Sequence, residues 1–344
     1  MALHTKPDNL REARLVHLFE AVDGADRVVI LPHNDPDPDA IAGALALQRL
    51  LVERAGLEAD LVYQGIIGRA ENKALVHYLG HPLRSLVPSD LDGTSPIALV
   101  DTQPGAGNNI LPKGAPVAIL LDHHPPQETA SAVRFADVRP EIGALSTLLT
   151  GYLRAAGIEP GPTLATALFY GIKTDTMGLA RAANPEDIEA YFYLQPLIEV
   201  EALAEIENAQ VGREYFAKLV DTLQGAQVYD GAVISYLGET DRPDMAAEMA
   251  DLLLRLKGVW WALCMGVYED ALILAARARG RYGGAERLVQ NIAQGRGTAG
   301  GHGAMAGGQI PLNGEDPKEL ADHLTVRALQ YLGVSSKVLD GPLI

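Results

Sequence analysis

The sequence predicts an α/β protein with a parallel-sheet domain in its N-terminal half and a smaller, mixed α/β domain in its C-terminal half. Short apolar runs such as Ile97–Val100 and Val117–Leu121 alternate with helical patterns, which is typical of parallel strands buried on both faces. The dipeptide Asn184-Pro185 then breaks this pattern. A second series of strands and helices begins near Gln227, which indicates a separate domain.

The N-terminal half is predicted to form one domain, residues 1–185. Three of its four apolar runs are followed by a helical pattern, as expected when crossover helices cover both faces of a parallel sheet. The predicted strands are Arg27–Leu31, Ala59–Tyr63, Ile97–Val100 and Val117–Leu121. The predicted helices are Leu10–Val22, Asp39–Ala55, Arg69–Leu79, Gly143–Ala156 and Gly161–Lys173.

The rest of the chain is predicted to contain a helical linker, residues 186–226, and a second domain, residues 227–344. The linker region carries the helical patterns Pro185–Leu194 and Val200–Leu223. The predicted strands of the second domain are Val228–Tyr236, Val259–Tyr268 and Ala271–Arg277. Its predicted helices are one that Thr240 or Asp241 caps and that ends at Leu256, then Ala285–Ala293 and Leu320–Leu332. The segment Gly295–Gly308, with seven glycines and one histidine, is predicted to be a loop.

The composition excludes several classes of protein. Lys plus Arg number 28 against 44 Asp plus Glu, so the formal net charge is −16, which argues against a groove for long nucleic acids. The single cysteine, Cys264, permits neither a disulfide within the chain nor a thiolate metal cage, and its apolar neighbours predict a buried position. No stretch is apolar enough for a signal core or a membrane span, so we expect a cytoplasmic protein.

Aspartate and histidine residues stand where the predicted elements end. The groups are His33 with Asp37 and Asp39, then Asp101, the triplet Asp122-His123-His124, and Asp175. Each group alone has an ordinary explanation, because Asp39 suits a helix cap and neighbouring histidines occur in surface loops. Ligands of an open parallel sheet bind at the carboxyl ends of its strands. We therefore expect the groups to converge at that edge of the sheet.

The chemistry of these side chains indicates metal ions. Carboxylates and imidazoles without a thiolate suit Mn²⁺ or Mg²⁺, with Zn²⁺ or Co²⁺ as further candidates. Two ions about 3.5–4 Å apart can activate a water and stabilise the entering and leaving oxygens of a phosphoryl displacement. Bound ions also explain how several buried carboxylates tolerate one another. We therefore expect two divalent ions, Mn²⁺ first among them, in a metal-dependent phosphoesterase.

On these residues the sequence resembles the DHH superfamily of phosphoesterases, which is named for the triplet found here at Asp122-His123-His124. The first motif, the isolated Asp101 and the later Asp175 occur in the family's order. Gly300-Gly301-His302 is similar to the glycine-rich signature of the DHH-associated domain. Within the superfamily, the compact two-domain layout resembles the branch of oligoribonucleases and 3′,5′-adenosine-bisphosphate phosphatases.

The resemblance implies a role for each of the residues in the first domain. The implied metal ligands are His33, Asp37, Asp39, Asp101, His123 and Asp175. Two of them, Asp101 and Asp175, are the implied bridging carboxylates. His124 is implied to contact the phosphate or the leaving oxygen in catalysis, and Asp122 is implied to orient one of the histidines.

In the second domain the resemblance implies substrate binding. Glycine lets the backbone approach a phosphate closely, and a guanidinium grips phosphate with two hydrogen bonds. The implied binders of the non-scissile phosphate or terminal nucleotide are Arg277, Arg279, Gly300, Gly301 and His302. The active site is expected in the cleft between the domains, and the family pattern also implies a homodimer.

Four residues depart from the family's usual pattern. Pro38 stands where the family has a glycine between two aspartates, and Ala42-Gly43 replaces the usual Gly-Ser. Ala299 stands where a third glycine is common before the histidine. None of these positions is a predicted metal ligand.

The predicted function is the hydrolysis of short oligonucleotides (a nanoRNase activity), linear dinucleotides or 3′-phosphoadenosine 5′-phosphate, by an exonuclease or phosphatase type of enzyme. Long duplex nucleic acid and membranes are not expected partners. The enzymatic alternatives are an inorganic pyrophosphatase or exopolyphosphatase, which the glycine-rich signature disfavours, and a cyclic-dinucleotide phosphodiesterase. An inactive nucleotide-sensing protein is the alternative of another class, and the presence of all six predicted ligands argues against it.

Overall fold

The computed structural model describes residues 5–112, 114–127, 133–181, 183–279, 284–335 and 343–344, with the backbone alone for residues 5–10 and His302. The contacts divide the chain into two compact units, Met1–Ala209 and Gln210–Ile344. This division falls inside the segment predicted to be a linker, and the predicted domain limits at 185 and 226 stay predictions. Among the described helices, none is both long enough and apolar enough to cross a membrane.

Six of the described strands of the first unit form a parallel sheet, as predicted. They are β1 (Arg27–Pro32), β2 (Glu58–Tyr63), β3 (Arg84–Ser85), β4 (Ile97–Val100), β5 (Ile119–Asp122) and β6 (Phe135–Val138). The strand order is β3-β2-β1-β4-β5-β6, so the direction of winding reverses between β1 and β4. In open α/β sheets, ligands bind at this switch point, beyond the carboxyl ends of the strands. The short strands β3 and β6 were not predicted, because neither contains a continuous apolar run.

The described helices of the first unit follow the predicted pattern closely. They are α1 (Thr5–Glu20), α2 (Pro38–Ala55), α3 (Ala70–Tyr78), α4 (Leu145–Ala155), α5 (Gly161–Asp175), α6 (Pro185–Leu194) and α7 (Val200–Glu207). Pro38 is the first residue of α2, a position that suits proline because its missing N–H has no partner there. Helix α2 ends at Ala55 and is followed by Gly56, which adopts the left-handed conformation (φ 67°) that terminates helices.

The sheet of the first unit is buried on both faces. Along β1, Val28 and Ile30 belong to the core cluster that includes the apolar residues of α2, whereas Val29 and Leu31 belong to a second cluster on the opposite face. Such double burial disfavours charged side chains inside the strands. In the central strands β1, β4 and β5, charged residues stand only at the strand ends, whereas β2 and β6 each contain an internal aspartate, Asp60 and Asp137.

The second unit contains a mixed sheet, and its described strands follow the order β11-β12-β10-β9-β8-β7. These strands are β7 (Gln227–Tyr229), β8 (Ala232–Glu239), β9 (Trp261–Tyr268), β10 (Ala271–Ala278), β11 (Thr298–His302) and β12 (Met305–Pro311). The helices are α8 (Arg213–Gly225), α9 (Met245–Leu253), α10 (Ala285–Ala293) and α11 (Pro317–Leu332). Strands β8 and β9 pair in parallel, and the other pairs are antiparallel. Cys264 is buried in β9, as predicted.

Three predicted elements of the later chain were wrong in detail. The single helix predicted over Val200–Leu223 is two helices, because Gly212, in an extended conformation (φ −71°, ψ 167°), precedes the start of α8. The single strand predicted over Val228–Tyr236 is the β7–β8 hairpin, whose turn contains Gly231 with a positive φ of 77°. The predicted loop Gly295–Gly308 contains the β11–β12 hairpin, which pairs with β10.

Close packing explains why the β11–β12 hairpin contains so many glycines. A Cβ atom on Gly297 would lie 2.0 Å from the carbonyl oxygen of Gln309, and one on Gly308 would lie 2.8 Å from Val289 in α10. Both distances are shorter than van der Waals contact, so a side chain at either position would push the strands or the helix apart. Pairing with β10 supplies the backbone hydrogen bonds, and this tertiary contact outweighs the low strand preference of glycine.

Candidate metal centre

The predicted metal ligands of the first unit lie together at the carboxyl edge of its parallel sheet. His33, Asp101 and His123 directly follow β1, β4 and β5, the central strands around the switch point. Asp39 is the second residue of α2, and Asp175 is the last residue of α5 rather than part of the following turn. The side chain of Asp39 is fully buried, and Asp37 is the most exposed of the six at 43%.

The six side chains form two sets. In the first set, His33 Nε2 lies 3.8 Å from Asp37 Oδ1 and 3.6 Å from Asp101 Oδ2. In the second set, His123 Nε2 lies 3.9 Å from Asp39 Oδ2 and 3.4 Å from Asp175 Oδ2. Within each set, one nitrogen or oxygen atom per residue lies within 4.8 Å of the others, so a single ion can contact all three.

Asp101 connects the two sets. Its Oδ2 faces His33 of the first set, while its Oδ1 lies 3.3 Å from His123 Nε2 of the second. Its backbone has a positive φ of 58°, a conformation that is costly for a residue other than glycine and that often occurs at functional sites. The geometry thus suits Asp101 for the predicted bridging role. Asp175 contacts only the second set among the described residues, and its bridging role stays a prediction.

Two buried atoms of this cluster lie close together without a hydrogen-bond partner in the described structure. Asp101 Oδ1 and His123 Nε2 are buried, and neither has a hydrogen-bond partner among the described residues, although they lie 3.3 Å apart. When His123 carries its proton on Nδ1, both atoms are acceptors, and leaving them unsatisfied in the interior is costly. A divalent cation satisfies both at once. As metal ligands, the carboxylates and imidazoles therefore fit the expected Mn²⁺ or Mg²⁺, as well as Zn²⁺ or Co²⁺.

The pKa shifts of this cluster indicate an excess of negative charge. Burial lowers the pKa of the His123 imidazole, but Asp101, with Asp175 and Asp39, outweighs burial and raises it well above its ordinary value. Burial and the negative charge of Asp101 raise the pKa of Asp39 to about 7. Burial, with the charge of Asp39, also raises the pKa of Asp175 well above its ordinary value. The carboxylates therefore repel one another unless protons or metal ions neutralise them.

Asp39 is held in place from a distant helix. Its Oδ2 accepts a hydrogen bond from the backbone N–H of Leu145 (2.5 Å), and its Oδ1 accepts one from Ser146 (2.8 Å). These are the first N–H groups of α4, whose own cap position, Ala144, has no side-chain acceptor. Asp37, not Asp39, caps α2, since its side chain accepts from the N–H groups of Asp39 and Ala40. Both aspartates thus fix a helix start as well as facing the cluster.

Two glycines allow these helices to meet around Asp39. A Cβ atom on Gly171 of α5 would lie 2.4 Å from Ser146 Oγ and 2.9 Å from Asp39 Oδ1. A Cβ atom on Gly43 of α2 would lie 2.5 Å from the side chain of Leu145. The small residues at these positions therefore let α2, α4 and α5 pack closely enough to bury the Asp39 carboxylate.

The Asp122-His123-His124 triplet is organised by its first member. Asp122 is buried, and its Oδ1 accepts hydrogen bonds from the backbone N–H groups of His123 (2.8 Å) and His124 (3.2 Å). The same oxygen lies 2.8 Å from His124 Nδ1. Of the two histidines, Asp122 therefore contacts the ring of His124, through Nδ1. Burial lowers the pKa of His124, but Asp122, followed by Asp101, outweighs burial and raises it.

Two further residues complete the surroundings of the cluster. The backbone oxygen of Asn34 lies 2.7 Å from His33 Nδ1, so the ring donates there and presents Nε2 to the ligand set. Gln103, which sequence analysis did not select, is buried and donates from Nε2 to Asp122 Oδ2 (2.7 Å). Its one signal in the sequence is that two polar residues, Thr102 and Gln103, follow Asp101 at the end of a buried strand.

Two of the predicted substrate-binding residues of the second unit, Arg277 and His302, lie in the same row of its sheet. Met305 pairs with Arg277 on one side and His302 on the other, so these three residues form a row across β10, β12 and β11. Arg277 is buried and donates from Nε to Asp251 Oδ1 (2.5 Å), whereas Arg279 is exposed beyond the end of β10. The side chain of His302 lies outside the described part of the structure, and the roles of these residues stay predictions.

The predicted phosphate-binding glycines lie in β11, opposite β12. Gly300 pairs with Gly307, and Gly301 pairs with Ala306. Gly301 has a positive φ of 146°, and a Cβ atom there would lie 2.4 Å from the carbonyl oxygen of Met305. Gly301 is therefore required by the hairpin itself. A Cβ atom on Gly300 would meet nothing within 4 Å in the described structure, so there is open space on that side of its Cα.

Comparison with known sequences gives related chains of different lengths. No family model matches the chain. An uncharacterized protein of Methanocaldococcus jannaschii is 36% identical over 315 residues, which cover 91% of this chain and 63% of that protein. A probable manganese-dependent inorganic pyrophosphatase of Staphylococcus epidermidis is 25% identical over 199 residues, which cover 57% of this chain and 64% of that protein. The chain thus spans less than two thirds of the length of each of these relatives.

Two solved structures share the fold. An exopolyphosphatase-related protein from Bacteroides fragilis superposes with a TM-score of 0.62 at 17% identity, over 93% of this chain and 96% of that one. RecJ from Thermus thermophilus, in complex with Mn²⁺, superposes with a TM-score of 0.52 at 17% identity, over 94% of this chain and 54% of that one. At this level of identity the likeness establishes the architecture. The chain therefore has the α/β fold of these two structures, with a parallel sheet in its first unit and a mixed sheet in its second, as predicted.

Proposed function

We propose that the protein is a two-metal-ion phosphoesterase that hydrolyses short oligonucleotides, linear dinucleotides or 3′-phosphoadenosine 5′-phosphate. The observation that carries the proposal is the pair of ligand sets joined at Asp101, with two buried acceptors that face each other. Each set supplies one histidine and two carboxylates when Asp101 is counted with the first. When bound, two divalent ions supply Lewis acidity at the phosphoryl group and an activated water.

The chain's own residues hold the site in one geometry. One ion would be held by His33, Asp37 and Asp101, and the other by Asp39, His123 and Asp175. Hydrogen bonds from α4 fix the Asp39 carboxylate, and the strained backbone of Asp101 places one oxygen toward each set. Because the cluster is largely buried, little solvent rearrangement accompanies the reaction, and charge stabilisation is strong.

His124 is the residue that we propose donates to the substrate. Asp122 accepts the hydrogen bond from His124 Nδ1, and His124 is proposed to donate from Nε2 to a phosphate oxygen or the leaving oxygen. Although burial lowers the pKa of His124, Asp122 and Asp101 raise it above its ordinary value, and this direction favours the protonated ring that a proton donor needs. Asp122 is thus a positioning residue, and His124 is the catalytic residue of the triplet.

The second unit is proposed to bind the non-scissile end of the substrate. Gly300, with open space beside its Cα, lies two residues from His302 in the row that also contains Met305 and Arg277, and we propose that an anionic group binds there. Arg279 offers a second, exposed guanidinium at the end of the same strand. The net charge of −16 favours small substrates, since a long polyanion is repelled.

A substrate panel tests this proposal. The purified protein is incubated with Mn²⁺ and, separately, an RNA dinucleotide, a five-residue RNA, 3′-phosphoadenosine 5′-phosphate, linear and cyclic diadenylate, and pyrophosphate. We expect hydrolysis of at least one of four substrates: the RNA dinucleotide, the five-residue RNA, 3′-phosphoadenosine 5′-phosphate and linear diadenylate. Asp101→Asn is expected to abolish this hydrolysis. The surface variant Asp92→Asn is the matched control, because Asp92 bonds only to Thr94 in the described structure.

The panel also separates the alternatives. Cleavage of pyrophosphate alone would assign the activity named for the Staphylococcus epidermidis relative and contradict the proposed substrates. Cleavage of the cyclic dinucleotide alone would assign a cyclic-dinucleotide phosphodiesterase. Nucleotide binding with fewer than two ions per chain and no hydrolysis would support a sensing protein.

A further inference from the structure

Gln103 is a buried amide that the proposed function does not use. It lies two residues after Asp101 and is 1% exposed. Its Nε2 donates to Asp122 Oδ2 (2.7 Å) and to the carbonyl oxygen of Pro125 (3.1 Å), and its Oε1 accepts from the backbone N–H of Gln127 (2.7 Å). Both ends of the amide are therefore occupied by groups of the segment that contains the histidines.

The contacts of Gln103 determine how the Asp122 carboxylate is oriented. One oxygen of that carboxylate, Oδ2, receives the Gln103 amide, so the other oxygen, Oδ1, faces the backbone and ring of His124. Rotation of the carboxylate would break both sets of bonds and leave buried acceptors unsatisfied, which is costly. The orientation of the His124 ring, which follows β5, thus depends on the amide of Gln103, which lies in the loop after β4.

Gln103 is itself held by the loop that follows it. Asn109 Nδ2 donates to the carbonyl oxygen of Gln103 (2.9 Å) and to Thr102 Oγ1 (2.8 Å), and Thr102 Oγ1 donates to Asn108 Oδ1 (2.6 Å). These bonds close the loop after Asp101 on itself. The amide is therefore presented to Asp122 from a backbone of defined position.

We propose that Gln103 is a positioning residue for His124, acting through Asp122 and through the backbone of residues 125–127. This inference rests on the proposed function only where it predicts a loss of turnover. The role demands a side chain that donates to a carboxylate and accepts from a backbone N–H at the same time. Glutamine meets both demands, glutamate loses the donor, and methionine, of similar volume, loses both.

Two variants and one control test the inference. Gln103→Met and Gln103→Glu are compared with Gln48→Met, which removes a comparable bond from a partly buried glutamine to the carbonyl oxygen of Ala59. Nitrogen-15 NMR of the Mg²⁺-loaded protein, with the His124 signals assigned from His124→Gln, reports whether Nδ1 keeps its hydrogen-bonded proton. We expect both Gln103 variants to lose that signal, and Gln48→Met to retain it.

Kinetics and metal analysis complete the test. We expect kcat to fall about 10- to 100-fold in both Gln103 variants, the range typical of residues that support a functional side chain, with a KM within about threefold of wild type. Bound metal is expected to stay at the wild-type level. Metal loss in parallel with activity would instead make Gln103 a support of the ligand sets and overturn the inference.

The NMR readout keeps this inference separate from the proposed function. An unchanged His124 signal in a folded Gln103→Met protein would overturn the positioning role, whatever the substrate. If no substrate of the panel is cleaved but the signal is lost in both variants, the positioning role stands and the proposed function fails. Gln103→Glu, which preserves shape, provides the same decision if the methionine variant does not fold.

Discussion

The buried Oδ1 of Asp101 lies 3.3 Å from the buried Nε2 of His123, and neither atom has a hydrogen-bond partner among the residues that the structure describes. Such a pair is unfavourable in the interior unless a proton or a metal ion lies near both atoms. Around it, the carboxylates of Asp39 and Asp175 have raised pKa values because burial and mutual repulsion disfavour their charged forms. The unsatisfied pair and the raised pKa values thus occur together, at the carboxyl edge of the parallel sheet.

Removal of the Asp101 charge is expected to affect both ligand sets. Asp101→Asn preserves the size of the side chain but removes the negative charge shared by the sets. We expect bound metal to fall below one ion per chain and hydrolysis to fall by about 100-fold or more, since metal ions contribute several kcal/mol to such reactions. Metal analysis after dialysis and the substrate panel measure both effects. Full metal content in this variant would contradict the assignment of Asp101.

The two neighbouring histidines are expected to differ in effect. His123→Gln removes a ligand of the second set, so metal content and activity should fall together. His124→Gln leaves both sets intact, so metal content should remain while kcat falls about 100-fold, as is typical when a proton donor is lost. Metal analysis and steady-state kinetics on the two variants distinguish the roles. Equal loss of metal in both would show that His124 is a ligand.

Added metal is expected to stabilise the fold. Ions bind the folded cluster and neutralise carboxylates that repel one another, so removal by a chelator should lower the midpoint of thermal unfolding. At a free Mn²⁺ concentration 100 times the dissociation constant, one site contributes about 2.7 kcal/mol. Calorimetry with and without Mn²⁺ measures the shift, and Asp101→Asn should reduce it. An unfolding midpoint insensitive to Mn²⁺ would count against a metal site.

A single added methyl group near Asp39 is expected to disturb the second set. In Gly171→Ala, the new Cβ would lie 2.4 Å from Ser146 Oγ and 2.9 Å from Asp39 Oδ1. Overpacking of this kind costs about 1–3 kcal/mol in the free energy of unfolding. Urea unfolding of the chelator-treated protein measures that cost, and titration calorimetry measures weakened metal binding. Adding Ser146→Ala removes the closest contact and should restore part of the stability.

The arginine of the second unit is expected to act on substrate binding rather than on metal binding. Arg277→Met removes the guanidinium from the row that includes Met305 and His302. We expect KM to rise about 10-fold, the loss of roughly one charge-assisted hydrogen bond, with metal content unchanged. Asp251→Asn, which removes the negative partner of Arg277 but keeps an acceptor, is the control and should not raise KM.

Much of the fold could be predicted from the sequence because its signals are local. Apolar runs such as Ile97–Val100 indicate buried strands without any knowledge of their neighbours, and Asp101 at the end of that run marks the edge of the sheet. The β7–β8 hairpin and the strands β11 and β12 were missed because their pairing depends on partners elsewhere in the chain. Glycine-rich segments have weak local preference, so contact with β10 decides their structure.

The sequence by itself determined the chemical identity and order of the candidate ligands, because residue types and the ends of helices and strands can be recognised from local sequence. Only the tertiary structure decided which ligands share a set, that Asp101 stands between the sets, and that Asp39 caps a helix 106 residues away. It also revealed Gln103, whose role follows from a contact with Asp122 across 19 residues. Distances of a few ångströms between side chains arise from packing, which no local pattern encodes.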